Sequence, residues 1–257
     1  MKKLIAFDLD GTLADSKSAM NDGMAAQFAD LLNTFQVCVI TGGKVDQFNK
    51  QLLDNLQASS QQLKRLHLMP TCGTRYMTYN VVSRGWDEVY AEDFSEDEKQ
   101  EIIKALEKGV YELGYEEKKP YGDVIEDRGS QVTFSALGQD IVDVLGKKGV
   151  EIKEAWDSDG SKKLKLRNYV ADLLPDFEVR AGGATSIDIT KPGIDKAYGM
   201  RKLMALLEID KSDILFMGDK LSEGGNDYPV KAMGIDSIEV SRWQDTAVAL
   251  TAILHVL

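Results

Sequence analysis

Leu4-Ile5-Ala6-Phe7-Asp8-Leu9-Asp10-Gly11-Thr12-Leu13 opens the chain with four apolar residues that stop at an Asp-x-Asp-Gly turn. A short apolar run closed by a turn signal predicts a buried strand that delivers two carboxylates to its C-terminal end. In open parallel α/β sheets that end is where ligands bind. Period-two alternation sends Asp8 and Asp10 out on the same side, and two carboxylates so close repel unless a cation holds one and a proton can sit on the other. Mg²⁺-dependent phosphoryl transfer needs this arrangement: one ionised Asp as nucleophile and metal ligand, and one Asp trading a proton. A surface Asp-Gly turn after a core strand is common enough that the stretch alone does not decide between the two readings.

Working outward, Ser18 to Phe35 has helical spacing, with Met20, Met24, Phe28, Leu31 and Leu32 on one face. Gln36 to Ile40 reads as a second buried strand that ends at Thr41-Gly42-Gly43. A helix from about Val45 to Leu56 follows, then short strands at Leu66–Met69 and Tyr76–Tyr79. Strands and helices that alternate in this way predict a parallel sheet covered on both faces. The same signal returns later in a helix from Lys196 to Leu207, a strand Asp213–Met217 ending at Gly218-Asp219, a strand Asp236–Val240 and a closing helix.

Between these parts, near Ser83-Arg84-Gly85, the composition changes. Ser95 and Glu98 form a capping box ahead of an amphipathic run that ends at Gly114. Val124–Glu126 and Gln131–Leu137 alternate polar and apolar residues, as half-exposed antiparallel strands do. A helix at Leu164–Leu174 and strands at Phe177–Arg180 and Ala184–Ile189 complete an α+β segment. The expected fold is therefore α/β: a Rossmann-like parallel sheet core with helices on both faces from residues 1–85 and 189–257, with an inserted α+β domain at 86–188.

The chain has 257 residues, 43% of them apolar, enough for a substantial core. Residues 86–188 carry 25 acidic and 14 basic side chains while the rest carry 17 of each, so the insert holds the whole net charge of −11. An acidic surface disfavours nucleic acid and anionic lipid as partners. No segment approaches the roughly 20 continuous apolar residues of a membrane span, and the first apolar run is too short for a signal peptide. Cys38 and Cys72, in apolar or turn sequence, read as reduced thiols of a cytoplasmic protein and not as a disulfide framework. With only His67 and His255 present, a metal site of Cys and His is disfavoured.

Three later stretches are expected at strand ends of the same sheet. Thr41-Gly42-Gly43 offers a hydroxyl and backbone N–H groups before a helix, a cradle for phosphate oxygens. Lys196 opens a helix and can neutralise a phosphate and a nucleophilic carboxylate together, with Lys191 competing for the role. Gly218-Asp219-Lys220-Leu221-Ser222-Glu223-Gly224-Gly225-Asn226-Asp227 puts two aspartates on either side of a Gly-rich loop. Asp219, Asp8 and one backbone carbonyl suffice for Mg²⁺, which keeps several waters.

These four stretches, in this order, resemble the haloacid dehalogenase superfamily of aspartyl-phosphate enzymes. Thirty residues lie between Asp10 and Thr41, and the insert falls between Thr41 and Lys196. That placement resembles the class with a late (C2-type, IIB) α+β cap, which includes sugar-phosphate phosphatases and the eukaryotic-type phosphomannomutases. Asp127-Arg128-Gly129-Ser130-Gln131, Ser186-Ile187-Asp188, Gly193-Ile194-Asp195-Lys196 and Gly224-Gly225-Asn226-Asp227 are similar to segments of the phosphomannomutase branch. The resemblance implies Asp8 as nucleophile and Asp10 as acid and base. It implies Thr41 and Lys196 at the transferring phosphoryl group, and Mg²⁺ held by Asp8, Asp10 through its carbonyl and Asp219, with Asp227 directly or through water. It implies substrate binding by Arg128, Ser186 and Asp188, with Gln131 and Lys17 as further candidates, and leaves room for a homodimer formed through the cap.

The chain departs from that branch where Gln139, Gly146 and Lys17 replace arginines. Holding a sugar bisphosphate at both ends is work for several bidentate arginines. The expected function is therefore an Mg²⁺-dependent phosphatase of a small phosphorylated metabolite, a sugar phosphate. A phosphosugar mutase is the alternative, and a non-catalytic binding module ranks third.

Overall fold

The computed structural model describes residues 2–256. Its strands are β1 (Leu4–Phe7), β2 (Gln36–Ile40), β3 (Leu66–Met69), β4 (Arg75–Asn80), β5 (Gly85–Ala91), β6 (Ile125–Asp127), β7 (Gln131–Ser135), β8 (Glu178–Ala181), β9 (Ser186–Thr190), β10 (Ile214–Gly218) and β11 (Asp236–Glu239). The chain divides into two compact units, one of the residues up to Ala91 with those from Ile194 onward, the other of Glu92–Gly193.

The first unit is built on a seven-stranded sheet of order β11-β10-β1-β2-β3-β4-β5. From β11 to β3 the pairing is parallel, with Phe7 in register with Met217 on one side and Val39 on the other. Every residue of β1 and β3 is buried. Successive side chains point to opposite faces, so the continuous apolar strands need cover on both. Ile5, Phe7, Val37 and Val39 pack with Met24, Phe28 and Leu250, and Leu4, Ala6, Cys38 and Phe216 pack with Met200, Leu203 and Val230. The rings of Phe7 and Phe28 lie 5.8 Å apart at 50°. Truncating either to alanine is expected to cost about 3–5 kcal/mol.

The helix expected over Ser18–Phe35 is confined to Asp22–Leu31, because the Asn21 side chain accepts from the Gly23 N–H at 2.9 Å and caps it there. The next helix spans Val45–Gln51 and gives way to a 3₁₀ turn at Leu53–Asn55 instead of running on to Leu56.

The sheet is mixed at one edge, since β4 pairs antiparallel with both β3 and β5. This corrects the boundary expected at 85/86: the Ser83-Arg84-Gly85 composition shift is the turn of a hairpin, with Arg84 at φ 55°, and β5 belongs to the first sheet. Such a short connection can join only antiparallel neighbours. The second boundary moves from 188/189 to 193/194, because β9 runs on to Thr190 with partners on both sides.

The second unit carries a four-stranded antiparallel sheet of order β6-β7-β9-β8. On one face Val132, Phe134, Val179, Ile187 and Ile189 pack with Ile102, Leu106, Leu166 and Val170 of two helices, Glu96–Leu113 and Ser161–Leu173. The Ser95–Glu98 capping box is formed in both directions, at 3.2 and 2.7 Å. Register puts Gln131, Thr133, Ser135, Ser186, Asp188 and Arg180 on the other, polar face. Two helices that the sequence reading did not anticipate, Ile141–Leu145 and Lys147–Trp156, meet at Gly146. With φ 56° and ψ −132° this joint suits glycine. Backbone geometry therefore accounts for glycine where the family resemblance has arginine. Among the described residues, no helix is long and apolar enough to cross a membrane.

Candidate active site

Because β1, β2 and β10 run parallel and in register, the residues that follow them, Asp8, Thr41 and Asp219, emerge at one edge of the sheet. Asp8 is 3% exposed. The helix Lys196–Leu207 starts from Asp195, whose side chain accepts from the Tyr198 N–H at 2.7 Å. That cap fixes the first turn and hence Lys196, whose Nζ donates to Asp8 Oδ1 and, at 2.6 Å, to Asp227 Oδ1. Lys196 and Asp227 have side chains of 0% exposure. Lys191 lies in the second unit beside Glu98 at 3.6 Å, so the lysine at Asp8 is Lys196.

Asp227 closes the Gly-rich loop by accepting from the Lys220 N–H at 3.0 Å with Oδ2. A Cβ at Gly218 would fall 2.5 Å from that same oxygen, and one at Gly11 would fall 2.7 Å from Asp219 Oδ2. Gly11 also has φ +78°, so this glycine is needed both for the turn and for the approach of Asp219.

Carboxylate oxygens of Asp8, Asp219 and Asp227 all lie within 4.8 Å of one another. Three carboxylates face one buried ammonium and, 3.6 Å from Asp219 Oδ2, the largely exposed ammonium of Lys220, which leaves an excess of negative charge that a divalent cation stabilises. Asp219 Oδ1 is buried and has no hydrogen-bond partner among the described residues. Such an orphan is costly unless a ligand outside the chain satisfies it. The hard oxygen donors suit Mg²⁺, so the residues present fit the ion. The Asp10 carboxylate is not one of the three.

Burial raises the Asp8 carboxyl most, Asp227 adds to the effect and Lys196 opposes it, leaving Asp8 pushed up from 3.8 to about 7. For Lys196, burial pulls the ammonium down, but Asp8 and Asp227 outweigh it and hold the group above its ordinary value. Lys196 therefore stays charged, while Asp8 sits where proton and cation compete for it.

Asp10 has different company. Its Oδ1 accepts from the Lys17 backbone N–H at 2.8 Å and Gln51 Nε2 at 3.1 Å, and its Oδ2 accepts from Gln47 Nε2 at 2.6 Å. The repulsion expected between Asp8 and Asp10 is thus met by separate partners, a buried cation for one and neutral donors for the other. Gln47 and Gln51 were not singled out from the sequence. Their i, i+4 spacing on the helix after Thr41-Gly42-Gly43 was the available signal. Lys17 meets Asp10 through its backbone, at φ 57°, and its side chain is exposed.

Thr41 is 3% exposed, and its Oγ1 accepts from the Gly43 N–H at 3.2 Å. Its carbonyl accepts from the Cys72 N–H at 2.9 Å, which ties the turn to the loop after β3. A Cβ at Gly42 would meet nothing within 4 Å, so the turn has open space beside it.

In the second unit, Arg128, Gln131, Ser186 and Asp188 belong to the strands β7 and β9 or the turn before β7. Arg128 pairs with Glu126 at 2.7 Å. Asp188 Oδ1 accepts from Gln131 Nε2 at 2.9 Å and Thr133 Oγ1 at 2.7 Å. Ser186 stands opposite Ser135 in register. Arg180, a residue the sequence reading passed over, is opposite Asp188 and pairs with Glu178 at 2.7 Å.

A family model for haloacid dehalogenase-like hydrolases matches residues 5–229. The chain is 26% identical over 241 residues to a phosphomannomutase of Babesia bovis, covering 90% of this chain and 88% of that one. It is 23% identical over 246 residues to a phosphomannomutase of Encephalitozoon cuniculi, at 95% and 91% coverage. Among solved structures, the fold is similar to IMP-bound, N-terminally truncated IMP-nucleotidase of Plasmodium falciparum, with a TM-score of 0.69 at 19% identity over 99% of this chain and 68% of that one. It is also similar to a trehalose-6-phosphate phosphatase related protein, with a TM-score of 0.59 at 15% identity over 99% and 98%.

Proposed function

The chain belongs to the haloacid dehalogenase-like hydrolases, and on that premise we propose that it is an Mg²⁺-dependent phosphatase of a small sugar phosphate, acting through an aspartyl phosphate on Asp8. The observation that carries this reading is the cluster of Asp8, Asp219 and Asp227, in which buried Lys196 bridges Asp8 and Asp227. Mg²⁺, held by the three carboxylates with the Asp10 carbonyl, would supply charge neutralisation at the phosphoryl oxygens. Asp8 Oδ attacks phosphorus as the bond to the leaving sugar oxygen breaks, and Asp10 gives that oxygen its proton. Water then attacks phosphorus, Asp10 takes the water's proton, and the Asp8 carboxylate leaves. Lys196 and the Thr41-Gly42-Gly43 turn hold the transferring oxygens through both steps. Substrate discrimination is assigned to the polar face of the second unit, through Arg128, Ser186 and Asp188 with Gln131.

A phosphosugar mutase is the second reading, favoured by whole-length similarity to phosphomannomutases. A mutase must hold a phosphate at each end of its substrate. Against this, Arg128 and Arg180 are each engaged by a glutamate two residues away, and Gln139 and Gly146 replace two arginines of the resembling branch. The test is incubation with Mg²⁺ and a panel of sugar phosphates that includes mannose 6-phosphate, following free phosphate and sugar 1-phosphate together. Net phosphate release without 1-phosphate supports the phosphatase. Interconversion without phosphate release overturns it in favour of the mutase.

A further inference from the structure

Asp10 is held by three donors that differ in what they can do. The Lys17 backbone N–H can only donate. Gln51, 1% exposed, spends its Nε2 on Asp10 Oδ1 and on the carbonyls of Asp15 and Ser18, at 3.1, 3.4 and 3.1 Å, so it cannot turn over without losing all three. Oδ1 is thereby committed to accepting. Among the described residues Gln47 alone reaches Oδ2, and at 2.6 Å it makes the shortest of the three contacts. Half-buried at the rim of the site, its carboxamide can present either an N–H or a C=O to Oδ2.

The turn before this helix is built around that side chain. A Cβ at Gly43 would lie 1.5 Å from Gln47 Oε1. Gly43 has no positive φ that would demand glycine. Its missing side chain therefore makes room for the Gln47 amide instead of permitting a turn.

We propose that Gln47 is a positioning residue for Asp10, fixing its carboxyl through Oδ2, and that Gly43 is glycine in order to admit it. This inference rests on the proposed acid and base role of Asp10. Without Gln47, the carboxyl keeps two contacts on one oxygen and can swing about them. Misplacing a reacting group by about 1 Å can cost up to a hundredfold in rate.

The test uses the full chain with Mg²⁺ and a sugar 6-phosphate, whose alkoxide leaving group needs the proton that Asp10 supplies. Gln47→Leu and the isosteric Gln47→Glu, which has no N–H to offer, are expected to lower kcat about tenfold to a hundredfold. KM should stay within about twofold and the melting temperature near wild type, because the side chain lies at the surface edge of its helix. Gly43→Ala should reproduce the loss, and the double variant Gly43→Ala/Gln47→Leu should fall no further than either single change. Wild-type kcat in Gln47→Leu, or losses that multiply in the double variant, overturns the assignment. If the wild-type chain hydrolyses no monoester, the functional reading fails separately. The ¹³C resonance of the Asp10 carboxyl then decides, moving in Gln47→Leu if Gln47 is its donor and staying in place if it is not.

Discussion

In the first unit Lys196, with a side chain of 0% exposure, bridges Asp8 and Asp227 at the end of strands buried on both faces. In the second, Arg128 and Arg180 lie partly exposed on a sheet with one polar face, each beside a glutamate of its own chain segment. Buried charges without alternatives are fixed by their neighbours, and one change leaves the others uncompensated. Partly solvated pairs exchange partners cheaply and are worth about 0–1 kcal/mol. The first arrangement suits chemistry that must be the same on every turnover, and the second suits a surface whose specificity varies.

The largest expected effect breaks the first region at its centre. Asp8→Asn should lower phosphate release by about a thousandfold or more, which is ~4 kcal/mol in the barrier, as measured with a coupled phosphate assay. Activity within tenfold of wild type would remove Asp8 from the mechanism. Next, Lys196→Met leaves two buried carboxylates facing each other. It should cost about 3–5 kcal/mol in urea unfolding without divalent cation, and a loss under 1 kcal/mol would mean that the pair is more solvated than its burial implies.

The raised Asp8 carboxyl gives the same region a pH signature. In metal-free protein the fold is favoured with Asp8 protonated. This contribution is intact below the unfolded value near 3.8 and is lost as pH rises toward about 7. Wild type should therefore lose stability relative to Asp8→Asn between pH 4 and 7 in chelator, and Mg²⁺ should reverse the loss at pH 7. A stability difference that does not change with pH contradicts the assigned burial.

The parallel core was legible because buried strands read as unbroken apolar runs, and Asp8, Thr41 and Asp219 could be placed from the turns that end them. Lys196 and Lys191 could not be told apart until the Asp195 cap fixed the helix start. The β4–β5 hairpin was misread because its edge strand carries Asp87 and Glu88 and looks like the acidic insert that follows. Gln47 and Gln51 stayed hidden because a glutamine on a helix is usually solvated, and only the tertiary fold brings Asp10 to them.

The smallest effect belongs to the second region. Arg128→Ala should cost less stability than Lys196→Met, since neither Arg128 nor its partner Glu126 is fully buried. It should alter the ranking of sugar phosphates in kcat/KM more than the rate with p-nitrophenyl phosphate. An equal loss on every substrate would assign Arg128 to the fold instead of to selection.

The most direct measurement of the central claim is chemical trapping of the intermediate. Borohydride reduces an aspartyl phosphate to homoserine, so enzyme quenched during turnover with a sugar phosphate and Mg²⁺, reduced and digested, should yield a peptide with homoserine at position 8. Phosphate release with Asp8 unmodified, or with the mark on another residue, would contradict the account.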